Sequence, residues 1–461
     1  MLYNENSRVK IPALVHFTRL GYEYLSLKNY SGKNLIDEGT NIFIDLLCAA
    51  INRINGIEYT LEDTQKLINE LKLVLDNEDI GRAFYFILLN GYKGIKLVDF
   101  EDSVGEKNSF HVVTELTYKN GPDEFRPDIT VLVNGLPLAF IEVKKPNNKN
   151  GIKAEYDRMN TRVQNKKFRR FINLTQIMVF SNNSPYDDSE VVPLEGSFYA
   201  ASGYKKLFFN HFREEDAQLI SSVPEADEET ENFILKDNNL VSVKHTPEYI
   251  TNRAVDTPTN SIITSLFSFE RILTFLKYAI AYVEKTDENG IVHLEKHLMR
   301  YPQFFATKAI ESKLNQGVKN GIIWHTQGSG KTALAFFNVR YLTDYYQKKG
   351  VIAKFYFVVD RLDLLTQAAN EFRARGLEVE EINSKEEFIN NIQTTGTSNN
   401  TGKLTIIVVN IQKFSKDSIV KKSDYAVNVQ RVYFLDEAHR SYKPTGSFLA
   451  NLFSSDRELP V

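Results

Sequence analysis

The sequence predicts an α/β fold in two units, on three observations. An apolar run, "LPLAFIEVKK" (136–145), follows an Asn134-Gly135 turn signal and an earlier run, "DITVLV", the pattern of a hairpin of core strands. From "GIIWHTQGSGKTALAFF" onward, strand-like segments ("KFYFVVD", "LTIIVVN", "VYFLDEAH") alternate with helix-like ones, as a parallel sheet requires. Between these regions, "REEDAQLISSVPEADEETENF" is acidic and lacks apolar periodicity, which sets an expected boundary between 1–235 and 236–461.

Composition narrows the function classes. The 461 residues can bury large cores, and 42% hydrophobic with 25% charged residues is globular usage. Cys48 is the only cysteine, which excludes a disulfide framework and a cysteine-based zinc site and fits a reducing compartment. The N-terminus has no apolar signal region, and no run approaches the ~18 apolar residues of a membrane span. The expectation is a cytoplasmic protein with no membrane partner. A net charge of -3 hides a basic stretch between Lys144 and Arg170 and an acidic one between Glu214 and Glu231.

Element by element, Phe43, Leu46, Leu47, Ala50, Ile51 and Ile54 form one helical stripe, and Thr60 with Asp63 opens a second helix. "FHVVTELTY", the hairpin and "QIMVFSNN" read as strands, with a basic helix, "KNGIKAEYDRMNTRVQNKKFRRFIN", before the last of these. "SIITSLFSFERILTFLKYAIAYV" reads as one helix opening the second unit. In "HLEKH", His293 and His297 are spaced i, i+4, but Glu295 fits no zinc motif, so the segment reads as surface helix.

The hairpin poses a chemical question, because "FIEVKK" ends a buried strand with two charges, Glu142 and Lys144, on one face. A three-residue loop at 134–136 places Asp128, from "RPDITVLV", opposite Glu142. Two facing carboxylates repel unless a cation lies between them, and oxygen ligands suit Mg2+. Lys144 can position a water and stabilise charge developing on a phosphate, so the trio fits phosphodiester hydrolysis. The alternative is a surface ion pair between Glu142 and Lys144. The triplet alone is unspecific, since Glu70-Leu71-Lys72 repeats it inside a helix.

"TQGSGKT" lies between an apolar strand ("GIIW") and a helix ("ALAFFNVRYL"), the setting of a phosphate-binding loop. Thr326, Gln327, Gly328, Ser329 and Gly330 bring backbone N–H groups to the anion, Lys331 neutralises the outer phosphates, and Thr332 ligates magnesium. His325 stands where the general pattern has glycine. In "VYFLDEAH", Asp436 at a strand end can hold the magnesium and Glu437 can polarise water.

These motifs resemble known families. "HTQGSGKT", "VVDRLDLLTQ" and "LDEAH" resemble motifs I, Ia and II of superfamily 2 helicases, which implies a RecA-like P-loop NTPase lobe binding ATP and Mg2+. "RYPQFFA" resembles the upstream Q motif, so Gln303 is expected at the adenine and His439 at the nucleotide. Arg361 and Lys413 are expected at DNA by position. Asp128, Glu142 and Lys144 match the PD-(D/E)xK nucleases, which implies a restriction-endonuclease-like domain; Glu5 resembles a further acidic residue of such enzymes. Arg158, Arg162, Lys166 and Arg170 at i, i+4 spacing would face DNA phosphates, with a solvated helix face as the alternative.

The combination resembles the restriction (R, motor) subunit of type I restriction-modification enzymes. That resemblance implies double-stranded DNA, modification and specificity subunits as partners, and ATP-driven translocation. The family's Q-x-x-x-Y element is best matched by Gln164, a catalytic candidate, with Phe168 in place of tyrosine. No second motor lobe follows "SFLANLFSSDRELPV", so the expectation is an N-terminal piece deficient in ATP hydrolysis. Two other readings stay open: a nuclease-helicase of repair or phage defence unrelated to methylation, and a non-catalytic docking module.

Overall fold

Local signals shape the first helices. In the computed structural model, which describes residues 4–146, 151–186, 195–326, 328–393, 403–410 and 429–436, a π-helical turn (Asn6–Lys10) leads into α1 (Ile11–Arg19). α2 (Ile44–Asn55) buries Leu47, Ala50 and Ile51 and stops at Gly56 at a left-handed φ of 63°. Thr60 and Asp63 cap α3 (Leu61–Leu75) reciprocally, each side chain accepting from the other's backbone N–H. α4 (Arg82–Asn90) follows.

The chain divides into two compact units, Met1–Ile280 with Ile291–Tyr301, and Ala281–Gly290 with Pro302–Val461. In the first, a ribbon of β3 (Tyr118–Asn120) and β4 (Asp123–Phe125) lies apart from a seven-stranded mixed sheet. That sheet comprises β1 (Glu23–Leu25), β2 (Phe110–Val113), β5 (Ile129–Val133), β6 (Leu136–Val143), β7 (Ile177–Ser181), β8 (Ser197–Ala200) and β9 (Asn210–His211), in that spatial order. β6 is the fourth of seven strands and is buried along its whole length, which explains its density of apolar residues. Its Phe140 joins Ile152, Met159, Phe171, Met178 and Phe180 in one core cluster.

The hairpin reaches the expected register by another route. Asn134 and Gly135 both have positive φ (55° and 76°), making a two-residue loop with Val133 opposite Leu136. A bulge beyond Leu132 then shifts the pairing so that Ile129 faces Ile141, and Asp128 comes opposite Glu142. The extra residue expected in the loop sits in the strand.

Other expectations are corrected. The basic segment is not one helix: α5 (Gly151–Gln164) ends at Asn165, whose side chain accepts from Lys167 N–H, and a 3-10 turn leads to α6 (Arg169–Leu174). The acidic segment holds α7 (Ala217–Ser221) and α8 (Glu228–Asp237), each capped by an aspartate, and buries Glu231 against Arg253 and Tyr249. α9 (Pro247–Asn252) follows, and then the expected single helix splits into α10 (Pro258–Phe267) and α11 (Phe269–Tyr278) at Ser268, whose extended backbone breaks the run. "IAYVEKT" becomes β10 (Ile280–Thr286), as its β-branched and aromatic residues favour. "HLEKH" lies in β11 (Val292–Leu298), not a helix: residues four apart also share a strand face, and Lys296 and Leu298 are buried on the other. Helices α10 and α11, expected to open the second unit, belong to the first.

The second unit carries α12 (Tyr301–Asn315), α13 (Lys331–Gln347), β12 (Ile352–Val359), α14 (Leu362–Ala374), β13 (Glu378–Ile382), α15 (Lys385–Gln393), β14 (Thr405–Asn410) and β15 (Val429–Leu435). Its strands form a parallel sheet in the order β13-β14-β12-β15. "GIIW", expected as a strand, forms none, and Ile322 and Trp324 are exposed. No helix among the described residues is long and apolar enough to cross a membrane.

Candidate active site and phosphate loop

Because β6 is central, the carboxylate at its end is drawn inside: Glu142 is 6% exposed. Asp128, just before β5, is fixed by a hydrogen bond of 2.9 Å from Val143 N–H to its Oδ2. Lys144 Nζ lies 3.5 Å from Glu142, 3.7 Å from Glu155, 3.8 Å from Glu5 and 3.9 Å from Asp128. Four carboxylates therefore converge on one ammonium, which also donates to the Val143 carbonyl at 2.8 Å.

The electrostatics follow from that crowding. Burial, reinforced by Asp128 and Glu155, holds the Glu142 carboxyl well above the usual glutamate range, against the pull of Lys144. Burial also raises Glu5. Burial alone would lower Lys144, but the surrounding carboxylates, Glu142 foremost, outweigh it and push the ammonium upward. Glu142 Oε1 is buried without a hydrogen-bond partner from the described residues, so it is open to a ligand oxygen or cation. Among the described residues no three His, Cys, Asp or Glu side chains already stand as a ligand set. The donors fit Mg2+, which binds through one or two carboxylates and completes its shell with water and substrate oxygens.

Glu155 is the residue that sequence reasoning missed. It is 2% exposed on α5, where its oxygens meet Arg158 at 2.9 Å and Arg162 at 3.1 Å. A signal existed: Glu155 interrupts the apolar stripe of Ile152 and Met159, and an acid on a core-facing stripe demands partners. Arg162 also lies 4.0 Å over the Phe125 ring. Together with Lys144 these groups line a cleft of about 340 Å³.

The remaining candidates separate. The break at Asn165 divides the basic stripe, so Arg158 and Arg162 face the cleft while Lys166 and Arg170 pair with Glu78 (3.5 Å) and Asp76 (2.7 Å). Gln164 donates to the carbonyls of Asn160 and Lys205, and Phe168 is buried in the core. Glu5 joins the cluster.

In the second unit, Gly328 and Gly330 take φ of 77° and 83°, a conformation open to glycine. Ser329 N–H donates to Thr326 O at 3.2 Å, closing the turn, and Lys331 and Thr332 begin α13, so the loop leads directly into a helix N-terminus. Gln303, buried on α12, donates to the loop carbonyls of Gly330 (3.0 Å) and Ser329 (3.4 Å). Asp436 follows β15, its N–H bonded to Val358 O at 3.1 Å. Arg361 is exposed and paired with Asp363 at 2.6 Å. Gln327, Lys413, Glu437 and His439 lie outside the described residues.

A mixed sheet with acids gathered at its central strand, followed by a parallel-sheet lobe with a glycine-rich loop at a helix N-terminus, defines a restriction-endonuclease-like domain joined to a RecA-like lobe. Residues 2–186 match the family of the type I restriction enzyme R protein N terminus, and residues 296–458 match the type III restriction enzyme res subunit family. A putative type I restriction enzyme MjaIXP endonuclease subunit of Methanocaldococcus jannaschii is 26% identical over 493 aligned residues, covering 96% of this chain and 40% of that protein. The type I restriction enzyme SauCOLORF180P endonuclease subunit of Staphylococcus aureus is 23% identical, with coverage of 96% and 40%. By these matches the chain is similar to the restriction (R) subunits of type I restriction enzymes. The chain spans about two fifths of the length of these relatives.

Proposed function

We propose that this chain supplies the DNA-cutting domain and the first ATP-binding motor lobe of a type I restriction enzyme, acting in the cytoplasm with modification and specificity subunits on unmodified double-stranded DNA. The observation that carries the reading is the convergence of Asp128 and Glu142 on Lys144, with the other Glu142 oxygen, Oε1, left without a partner. Asp128 and Glu142 would hold Mg2+, which when bound supplies the positive charge that polarises a phosphodiester. Lys144 orients the attacking water and stabilises negative charge as the water oxygen bonds to phosphorus and the bridging P–O bond breaks. Glu155 aims Arg158 and Arg162 at the flanking phosphates. In the motor lobe, residues 326–332 cradle the ATP phosphates, Thr332 and Asp436 hold their magnesium, Glu437 and His439 complete the site, and Gln303 ties the loop to the adenine side. Arg361 and Lys413 contact the translocated DNA.

The test is magnesium-dependent nicking of supercoiled plasmid by the complete subunit reconstituted with its partners. Asp128→Ala and Lys144→Ala should each cut at least about 100-fold more slowly while keeping ATPase activity. Unchanged cutting would place the nuclease elsewhere.

A further inference from the structure

Helix α5 has a second working face. Glu155, Arg158 and Arg162 look into the cleft, while Tyr156, Asn160 and Gln164, spaced i, i+4, i+8, hold the loop 203–208. Tyr156 Oη donates to Leu207 O at 3.2 Å, Asn160 Oδ1 accepts from Leu207 N–H at 2.8 Å, and Gln164 donates to Lys205 O at 3.0 Å. Leu207 is 1% exposed and plugs into the core. Gly203 is required by crowding, since a Cβ there would strike the Lys206 carbonyl. The loop "GYKKLF" is thus rigidly mounted on the helix that lines the cleft.

What it displays is unusual for a surface. Tyr204 and Phe208 are 41% and 38% exposed. Tyr204 is stacked on His293 at 4.5 Å, and Phe208 and His297 meet edge to face at 5.9 Å. Lys205 and Lys206 lie 5.0 Å and 5.5 Å over the two rings, and neither has a carboxylate partner among the described residues. A fixed, part-exposed aromatic with a cation over its ring offers two exchanges at once. An unpaired base takes the ring, and the released lysine takes the adjoining phosphate. Duplex DNA hides its base faces and gains only the second.

We propose that residues 203–208 form a stacking platform for an unpaired DNA strand beside the nuclease cleft. The loop's anchors on α5 run from Tyr156, next to Glu155, to Gln164, which the helix rise sets ~14 Å from Glu155, so they lie within about four base steps of the cleft-lining acid. The proposal rests on the DNA-cutting reading above and adds a binding site to it.

Fluorescence anisotropy of the full chain in EDTA, which prevents cutting, tests the platform with a labelled oligothymidylate of about 20 nucleotides and a blunt duplex of equal length. Tyr204→Leu and Phe208→Leu should each weaken oligothymidylate binding about tenfold and duplex binding less than about twofold, while Tyr204→Phe retains both. Oligothymidylate binding unchanged in both leucine variants overturns the proposal. So does equal loss on both DNAs, which would mean phosphate contact alone, and so does absence of binding by the wild-type chain, which would assign the surface to a protein partner. Because no cutting is read, failure of the nuclease assay above leaves this result standing, and the converse holds.

Discussion

Glu142→Gln should make the protein more stable while abolishing cleavage. Glutamine keeps the shape of the buried side chain but removes a charge pressed against Asp128 and Glu155, and its amide can donate where Oε1 now has no partner. An unsatisfied buried polar atom costs ~1–3 kcal/mol, so the gain at pH 8 in EDTA should be of that size. For a large unit this raises the melting temperature by roughly 2–6 °C. The sign of the pH dependence follows from the raised Glu142 pKa. The folded state holds that proton more tightly than the unfolded chain, so stability falls as pH climbs above the ordinary glutamate range. The difference between variant and wild type should therefore be larger at pH 8 than at pH 5. Magnesium at about ten times its Kd should restore ~1.4 kcal/mol to the wild type and nothing to the variant. Scanning calorimetry at both pH values, with and without magnesium, measures all of this. A variant that melts below wild type at pH 8, or equal stabilisation of both proteins by magnesium, would refute the reasoning.

Three further outcomes are expected. Glu155→Gln should lower plasmid cleavage about tenfold and flatten its salt dependence, because Arg158 and Arg162 lose their shared anchor; undiminished cleavage would show that they need none. Lys331→Ala should weaken binding of a fluorescent ATP analogue by about 100-fold or more, read by direct titration, with oligonucleotide binding unchanged. Lys296, fully buried and bonded to Thr175 O and Gln176 Oε1, is pulled by burial to about 7. The unfolded chain binds its proton more tightly between that value and the ordinary lysine range, so stability attributable to this residue rises with pH across that window. Lys296→Met should therefore raise the melting temperature most at pH 6 and least at pH 10, with about 5 kcal/mol as the ceiling; a gain that does not fade with pH would contradict it.

The sequence alone determined what local chemistry can encode. Asn134-Gly135 marked the hairpin, Thr60 with Asp63 marked a helix start, and alternating apolar runs marked the parallel lobe. "TQGSGKT" carried its own loop geometry because its glycines and the following helix are contiguous. Tertiary structure decided the rest, for contact between distant segments is set by packing. The same Glu-x-Lys spacing that meets Asp128 on β6 pairs on α3 with Lys93 through Glu70 and with Asp37 through Lys72, so no motif distinguishes them before the sheet forms. The bulge beyond Leu132, invisible in the turn residues, restored the Asp128 to Glu142 register. Asn165 ended α5, which sent Arg158 and Arg162 to the cleft and Arg170 to Asp76. Glu155 reached Lys144 because Ile152 and Met159 dock α5 on the face of β6 that carries Phe140 and Glu142. A carboxylate acquires its neighbours from the core around it, and that core is assembled from residues far apart in the chain.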